Sequence, residues 1–495
     1  MHTVYEMKRL EHLGIIAHDM GMIFSFLGVI TLLPFVVLII YREWDMIVPM
    51  ATVPFTFVVL GQLISKVPSR EHVPQISVAL AAVALTWFVS AVIGSFPFIV
   101  GLGMSPTDSI FESMSGWTST GFTVMTSLDT APHVILFWRS FMQWIGGMGV
   151  IAFGIALMSR SSLIQFRLYR SEGRSEALMP SIVSTGRRMW GIYVLLTAGF
   201  TIMILLTGLP LWDALNLVMT TISTGGFSIH NQGVSYYQNG ILEMLLLPVM
   251  IAGAIPFKLY FFLYRRKVSQ FWKDPAVRLI LALALIGSLA VSLNLYLLAE
   301  YPFMEAVRQG FFCTISGFTC CGLQNSSLIW SPLPLLIVIM LMLIGGASGS
   351  TAGGIKVNRI ILGYEGLIWW FRRFFVSSRV IVPFTHEGRN IPRKISELEL
   401  SKNILIITLW VLLIFVATLI ALHIAPAVMS IHIVVFDLVS AASNVGLSAG
   451  YFTPTASLQI KWLFILVMWI GRLEIIPVLI LFLGFFRGFD IRIPR

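Results

Sequence analysis

The sequence predicts an all-α polytopic membrane protein: a pseudo-fourfold arrangement of four span, pore-helix, span units around a central pore, plus two extra N-terminal transmembrane helices. Three observations carry this. The 495 residues are 57% hydrophobic and 11% charged, with a mean hydropathy of +0.88, whereas soluble domains are roughly 45–50% apolar. Apolar runs of about twenty residues, enough to cross a ~30 Å hydrocarbon core as helix, recur from end to end. A short pattern of Phe, Ser, a hydroxyl residue and Gly returns between those runs.

The spans read near 20–40, 46–65, 76–101, 134–159, 189–209, 241–264, 277–299, 333–371 (broken), 403–425 and 458–485. The first two lie outside the repeat and form a unit of residues 1–70; the pore units follow at 71–160, 161–265, 266–375 and 376–495. The first run lacks a small-residue cleavage site and is followed by nine more spans, so it is expected to be retained rather than removed as a signal peptide.

A net charge of +10 raises nucleic acid as a partner, but the placement of the charge points to topology. Of 33 Lys and Arg, 27 fall in the amino-terminal tail, 66–74, 160–188, 265–278, 356–402 and the carboxyl-terminal tail. With ten spans these segments share one side, the cytoplasm by the positive-inside rule. Both termini are therefore expected on the cytoplasmic side of the cytoplasmic (inner) membrane, with anionic membrane lipid as a contact and no nucleic acid. Arg42, Arg139, Lys258, Arg308, Lys461 and Arg472 fall elsewhere. Cys313, Cys320 and Cys321 cluster in one region, which excludes a disulfide scaffold and gives no metal spacing. The nine His are scattered, without a ligand pair on a helix face.

The repeat is anchored on glycines. Before Gly121, Phe111, Ser115 and Thr118 lie ten, six and three residues back. Gly446 repeats the offsets with Phe436, Ser440 and Ser443, and Gly322 with Phe312, Ser316 and Thr319. The remaining copy is looser: Gly226 has Thr220 and Ser223 in register but Asn216 in place of Phe, with Gly225 as the fallback anchor. Asp213 precedes Gly226 by the same thirteen residues that separate Asp108 from Gly121. A second glycine follows each anchor: Gly146, Gly253, Gly345 and Gly471 lie 25, 27, 23 and 25 residues on. Short segments near 106–118, 211–223, 302–319 and 430–443 are too short to cross as helix, and all fall on the side poor in Lys and Arg.

Non-helical backbone survives at membrane depth only inside protein or against water, so four re-entrant segments are expected to meet around an axis. Glycine leaves the lumen clear and admits backbone angles that turn carbonyl oxygens inward. A ring of such oxygens replaces the water shell of a monovalent cation. The partly negative carboxyl ends of the short helices add to the attraction if they face the cavity, the direction favoured by Asp108 and Asp213 at the other ends. No Asp or Glu occurs in TSTGF, STGGF, TCCGL or SNVGL, which disfavours a divalent-cation filter.

Below the filter, the run GGASGSTAGGIK (Gly345 to Lys356) is too rich in glycine for a helix to persist through it. It lacks the GxxxxGK followed by Ser or Thr of a phosphate loop, so a flexible plug is the better reading. Lys356 either repels cations locally or snorkels to the cytoplasm. Arg472 is expected to face the lumen and limit occupancy, with an interfacial position as the alternative and Glu474 a poorly placed partner. Lys258 reads equally as pore-facing or as buried and paired.

TSTGF, STGGFS, GGASGSTAGGIK and IGRLE resemble, in order and spacing, the signatures of the Trk/Ktr/HKT superfamily of potassium transporters; the two extra spans are similar to the TrkH/TrkG branch. The resemblance implies a K+ uptake protein rather than an enzyme, with K+ as the transported ion and no organic cofactor in the chain. It further implies a homodimer with a cytosolic TrkA-type nucleotide-binding regulatory subunit. The implied filter comprises Thr118, Ser119, Thr120 and Gly121; Ser223, Thr224, Gly225 and Gly226; Thr319, Cys320, Cys321 and Gly322; and Ser443, Asn444, Val445 and Gly446. The gate loop would be carried by Gly345, Gly346, Gly349, Ser350, Thr351, Gly353, Gly354 and Lys356, with Arg472 projecting below the filter. Two cysteines in TCCG and SGSTAGG in the loop depart from the common pattern. A serine in place of a filter glycine marks Na+ preference in some plant relatives; all four glycines here favour K+. A Na+-permeable or Na+-coupled transporter on the same scaffold is the alternative. A membrane enzyme is disfavoured, because no intramembrane cluster of acid, base or metal groups is apparent.

Overall fold

Long apolar helices alternate with short ones that cannot cross a bilayer. The computed structural model describes residues 2–67, 76–149, 182–376, 382–386, 389–424 and 430–487. Residues 150–159 of the expected fourth span, most of the basic stretch 160–188 and of the 66–74 turn, and the carboxyl-terminal tail lie outside them.

Helices α1 (His2–Ile30), α2 (Pro34–Tyr41) and α3 (Ile47–Ser65) come first. The first unit has α4 (Ile76–Gly94), α5 (Phe96–Leu102), the short α6 (Pro106–Trp117) and α7 (His133–Met148). The second has α8 (Ile182–Leu205), the short α9 (Leu211–Ile222), α10 (Gly240–Ala254) and α11 (Phe257–Tyr264), with α12 (Val268–Lys273) leading onward. The third has α13 (Pro275–Leu297), the short α14 (Phe303–Phe318), α15 (Pro332–Ile344) and α16 (Val357–Phe374). A two-stranded antiparallel hairpin, β1 (Phe384–His386) and β2 (Arg389–Ile391), leads to the fourth: α17 (Arg393–Ile424), the short α18 (Ile431–Ala442), α19 (Leu458–Arg472) and α20 (Ile476–Arg487).

Six described helices are long and apolar enough to span, or up to eight if each bent pair is one span. Both bends correct spans read as continuous. Pro256 stops α10, because it lacks an N–H and forces Ile255 into extended backbone, and α11 leaves at 103°. At the other bend, Glu474 (φ 60°) and Ile475 (φ 69°) are both left-handed and α20 leaves at 108°. The first and ninth spans extend well beyond the expected limits, beginning at His2 and Arg393.

The first short helix has a well-defined start. In α6, Pro106 occupies the first turn and the Ser105 hydroxyl accepts the Asp108 amide at 3.1 Å, which satisfies an amide the helix leaves open. At ~1.5 Å per residue, twelve residues cover about 18 Å, little more than half of a hydrocarbon core.

Small residues set the closest helix contacts, as expected where lipid is as apolar as leucine. Gly21 of α1 lies against the Gly61 carbonyl of α3, where a Cβ would sit 2.8 Å from that oxygen. The second glycine of the repeat has a similar explanation. A Cβ on Gly146 would strike the Trp117 carbonyl at the end of α6, and one on Gly471 the Ala442 carbonyl at the end of α18; on Gly253 it would come within 2.9 Å of the Ile222 carbonyl. Gly345 departs from this and lies against Gly353 of its own loop.

Ion pairs tie neighbouring helices together. Arg139 of α7 reaches Glu112 of α6 at 2.7 Å, with both side chains essentially excluded from solvent. Arg308 of α14 reaches Glu243 of α10 at 2.5 Å, and Lys461 of α19 reaches Asp108 at 2.5 Å. Glu43, after α2, accepts the His133 and Val134 amides at the start of α7 at 2.6 and 2.9 Å, fastening the leading helices to the first unit.

Two predictions follow from this packing. Gly471→Ala should lower the melting temperature of the detergent-purified protein, whereas Gly191→Ala, which meets nothing within 4 Å, should not. Arg139→Met should cost about 3–5 kcal/mol in unfolding by denaturant, because Glu112 then keeps a buried charge without a partner; adding Glu112→Leu should recover much of that loss.

Candidate functional site

The four short helices end in the same way. Thr118, Ser223, Thr319 and Ser443 are their C-cap residues. The next residue in each is left-handed although none is glycine: Ser119, Thr224, Cys320 and Asn444 have φ of 52°, 53°, 58° and 53°. Two residues on, Gly121, Gly226, Gly322 and Gly446 have φ of 101°, 72°, 80° and 93°. Each non-glycine left-handed residue costs roughly 1–2 kcal/mol, so the surrounding structure must hold all four. The equivalence also settles the looser copy: Gly226, not Gly225, has the positive φ of the other three anchors.

These glycines interlock in a cycle. A Cβ on Gly121 would strike the Gly225 carbonyl, on Gly226 the Cys321 carbonyl, on Gly322 the Val445 carbonyl, and on Gly446 the Thr120 carbonyl. Each anchor thus lies against the carbonyl of the residue before the next unit's anchor, and the fourth unit returns to the first. On one side a cavity is lined by all four anchors together with Thr123, Arg139 and Ser448.

Hydrogen bonds behind the stretches hold their shape. The Gly121 amide donates to the Ser115 hydroxyl and the Gly446 amide to the Ser440 hydroxyl, both at 3.0 Å. This gives a role to the serine six residues before the anchor in the first and fourth units; in the second and third the anchor amide reaches the main-chain carbonyls of Thr220 at 3.3 Å and Ser316 at 3.4 Å instead. The hydroxyls of Thr118 and Thr319 turn back to carbonyls of their own helices, Met114 and Ile315, each at 2.7 Å.

Two carboxylates missed by sequence reasoning brace the chain beyond the anchors. Glu112 accepts the Val124 amide at 3.0 Å and the Thr123 hydroxyl at 2.9 Å. Asp437 accepts the Ala449 amide at 2.7 Å, the Ser448 hydroxyl at 2.8 Å and the Phe452 amide at 2.8 Å. Both acids lie nine residues before their anchors, and that shared offset was the available signal. Leu217 and Cys313 occupy the position in the other units. There Cys313 contacts Asn325, which donates to Glu243 of α10 at 2.7 Å.

The glycine-rich segment between α15 and α16 lies against the carboxyl ends of two of these helices. The Thr351 hydroxyl reaches the Ile222 carbonyl at 3.0 Å and the Gly253 carbonyl at 2.9 Å. Gly353 fits against the Ser443 carbonyl. The segment therefore touches the second and fourth short helices, which face each other in the cyclic order. Gly349 accepts the Phe257 amide at 3.1 Å, Gly346 accepts the Val357 amide at 2.9 Å, and the Ser350 hydroxyl donates to Ala347 at 2.7 Å. Gly345 and Gly354, with φ of 66° and 78°, pack on each other at the mouth of the loop.

Arg472 belongs to this layer. Its guanidinium donates to the Thr351 carbonyl at 3.0 Å, to the Gly147 carbonyl at 2.9 Å and to the Gly146 carbonyl. These partners lie near the carboxyl ends of the short helices. Glu474 pairs instead with Arg359 of α16. Lys356 folds back onto the Ala352 carbonyl of its own loop, rather than reaching away from it. Lys258 is half-buried at the start of α11, just beyond the Pro256 bend.

Comparison with known proteins agrees with this architecture. Residues 46–486 match the family described as TrkH, cation transport protein. An uncharacterised cation transporter of Methanocaldococcus jannaschii is 32% identical over 480 residues, covering 94% of each chain. The Trk system potassium uptake protein TrkH of Halomonas elongata is 31% identical over 424 residues, 81% of this chain and 83% of that one. The crystal structure of the potassium transporter TrkH from Vibrio parahaemolyticus superposes with a TM-score of 0.83 at 27% identity, over 96% of this chain and 99% of that one. A multi-pass membrane chain with these matches belongs to the TrkH family of cation transport proteins.

Proposed function

We propose that this protein takes up potassium across the cytoplasmic membrane through a filter built from the four glycine stretches. The observation that carries the reading is the closed cycle in which each anchor glycine meets the carbonyl before the next anchor. Oxygens so gathered can stand in for the hydration shell of an alkali cation. The filter comprises residues 118–121, 223–226, 319–322 and 443–446, divided among pore units 71–160, 161–265, 266–375 and 376–495, with 1–70 as an added pair of helices. The four short helices end at the filter, so their partly negative termini favour a cation there.

The segment from Gly345 to Lys356 is the gate. Its support is the route from Ile222 to Ser443, between opposing helices, with Arg472 fastening Thr351 to the first unit. A positive charge in that layer limits cation occupancy. The relatives' designation as a Trk system fits a regulatory partner, here a TrkA-type nucleotide-binding subunit on the cytoplasmic side, where both termini lie; the transporter itself acts as a homodimer. Sodium preference is disfavoured by glycine at all four anchors.

Purified protein in liposomes should take up K+ and Rb+ in strong preference to Na+; equal uptake of all three defeats K+ selectivity. Gly322→Ser, which places a side chain against the Val445 carbonyl, should lower K+ flux and narrow that preference. Thr351→Val and Arg472→Ala each release the loop and should raise K+ flux several-fold in the absence of any partner; unchanged or lower flux in both would remove the loop from gating.

A further inference from the structure

The geometry points to Gln143 as a specificity-determining residue that tethers one of the four ring carbonyls and so sets the filter's preference for K+ over Na+. This rests on the filter reading above. Gln143 lies on α7 of the first unit and is fully buried. Its Nε2 donates to the Gly225 carbonyl at 2.7 Å and its Oε1 accepts the Phe227 amide at 3.0 Å, so one carboxamide grips the second stretch on both sides of Gly226. Only one orientation of the amide satisfies both bonds, since the Phe227 amide donates and the Gly225 carbonyl accepts. The main chain of Gln143 joins in: its carbonyl accepts the Ser119 hydroxyl at 3.0 Å.

A peculiarity of the sequence follows from this. The second stretch alone carries two adjacent glycines, STGGF. A Cβ on Gly225 would lie 2.5 Å from Gln143 Oε1 and 2.9 Å from Nε2. Gly225 is therefore glycine to admit the carboxamide, whereas Gly226 is glycine for its backbone angle and its neighbour's carbonyl. The corresponding residues in the other units, Thr120, Cys321 and Val445, carry side chains. Among the described residues no side chain donates to their carbonyls; Asn444, the nearest counterpart, reaches the Thr120 hydroxyl and the Met468 carbonyl instead.

The consequence is electrostatic and geometric. A carbonyl that already accepts an N–H has a positive hydrogen beside its oxygen, which weakens its pull on a cation. Held by that bond, it also cannot swing inward to meet an ion smaller than K+. Number and field strength of carbonyl ligands are the quantities that separate K+ from Na+ in such rings. Three free oxygens and one tethered oxygen place the ion off centre, nearer Thr120, Cys321 and Val445 than Gly225.

The test compares wild type with Gln143→Glu and Gln143→Met in proteoliposomes, measuring Na+ against K+ permeability. The glutamate retains an acceptor for Phe227 but, ionised, no donor for Gly225; the methionine retains bulk without either. Both should raise relative Na+ permeability roughly tenfold, the scale of one lost hydrogen bond. Wild-type ratios in variants that purify intact overturn the inference. A second measurement needs no variant: Rb+ located by anomalous scattering in wild-type crystals should lie farther from the Gly225 oxygen than from the other three, and equal distances to all four overturn it. A wild type that does not discriminate K+ from Na+, or binds no Rb+ between the stretches, overturns the filter reading and this inference together, whereas normal wild-type selectivity with unaltered variants removes Gln143 alone.

Discussion

Main-chain amides and carbonyls that leave a helix inside a membrane must find partners away from lipid, and the architecture of this protein follows from that requirement. Four chain segments stop being helical in the buried interior, at Thr118, Ser223, Thr319 and Ser443. In the first and fourth, amides beyond the helix are answered from behind by the Ser115 and Ser440 hydroxyls and by carboxylates on the short helices themselves, and in the second and third the anchor amides reach the Thr220 and Ser316 carbonyls. The carbonyls of Thr120, Gly225, Cys321 and Val445 each crowd a neighbouring anchor, where glycine permits the approach, and that of Gly225 also accepts from Gln143. The longer helices around them serve largely to keep this assembly out of hydrocarbon.

The same constraint governs charge. Burying an ion without a partner is far more costly than burying a matched pair, and the buried acids have partners of different kinds. Glu112 has Arg139, which also donates to the Ser228 carbonyl at 2.7 Å and lies over the Phe227 ring at 4.1 Å. Glu243 has Arg308 and Asn325. Asp437 is held by amides and a hydroxyl of the chain that follows its own anchor. Three routes to the same end explain why the four quarters differ in side chains while agreeing closely in backbone.

Much of this was legible in the chain. Segments expected near 106–118, 211–223, 302–319 and 430–443 are the helices Pro106–Trp117, Leu211–Ile222, Phe303–Phe318 and Ile431–Ala442. Offsets within a repeat survive because each is local: a glycine at a fixed distance from a serine reports one turn of structure. What escaped was long-range or depended on a break. The bends at Pro256 and Glu474 lie inside stretches that remain apolar enough on the whole to pass as single spans; Pro256, eight residues before the end of its expected span, was the overlooked mark. Glu474 was weighed against Arg472, two residues away, but pairs with Arg359 across 115 positions. Gln143 sits in an ordinary apolar stretch, and nothing near it in sequence records that its partners are Gly225 and Phe227.

Because the four glycine stretches share one polypeptide, a codon change reaches one of them and leaves three untouched. In a ring of identical subunits the same change would strike every side at once. A glycine pair, two cysteines or an asparagine can therefore be carried by one quarter without being imposed on the other three. The backing of the quarters is dissimilar in just this way, with a carboxylate in two and other arrangements in the rest.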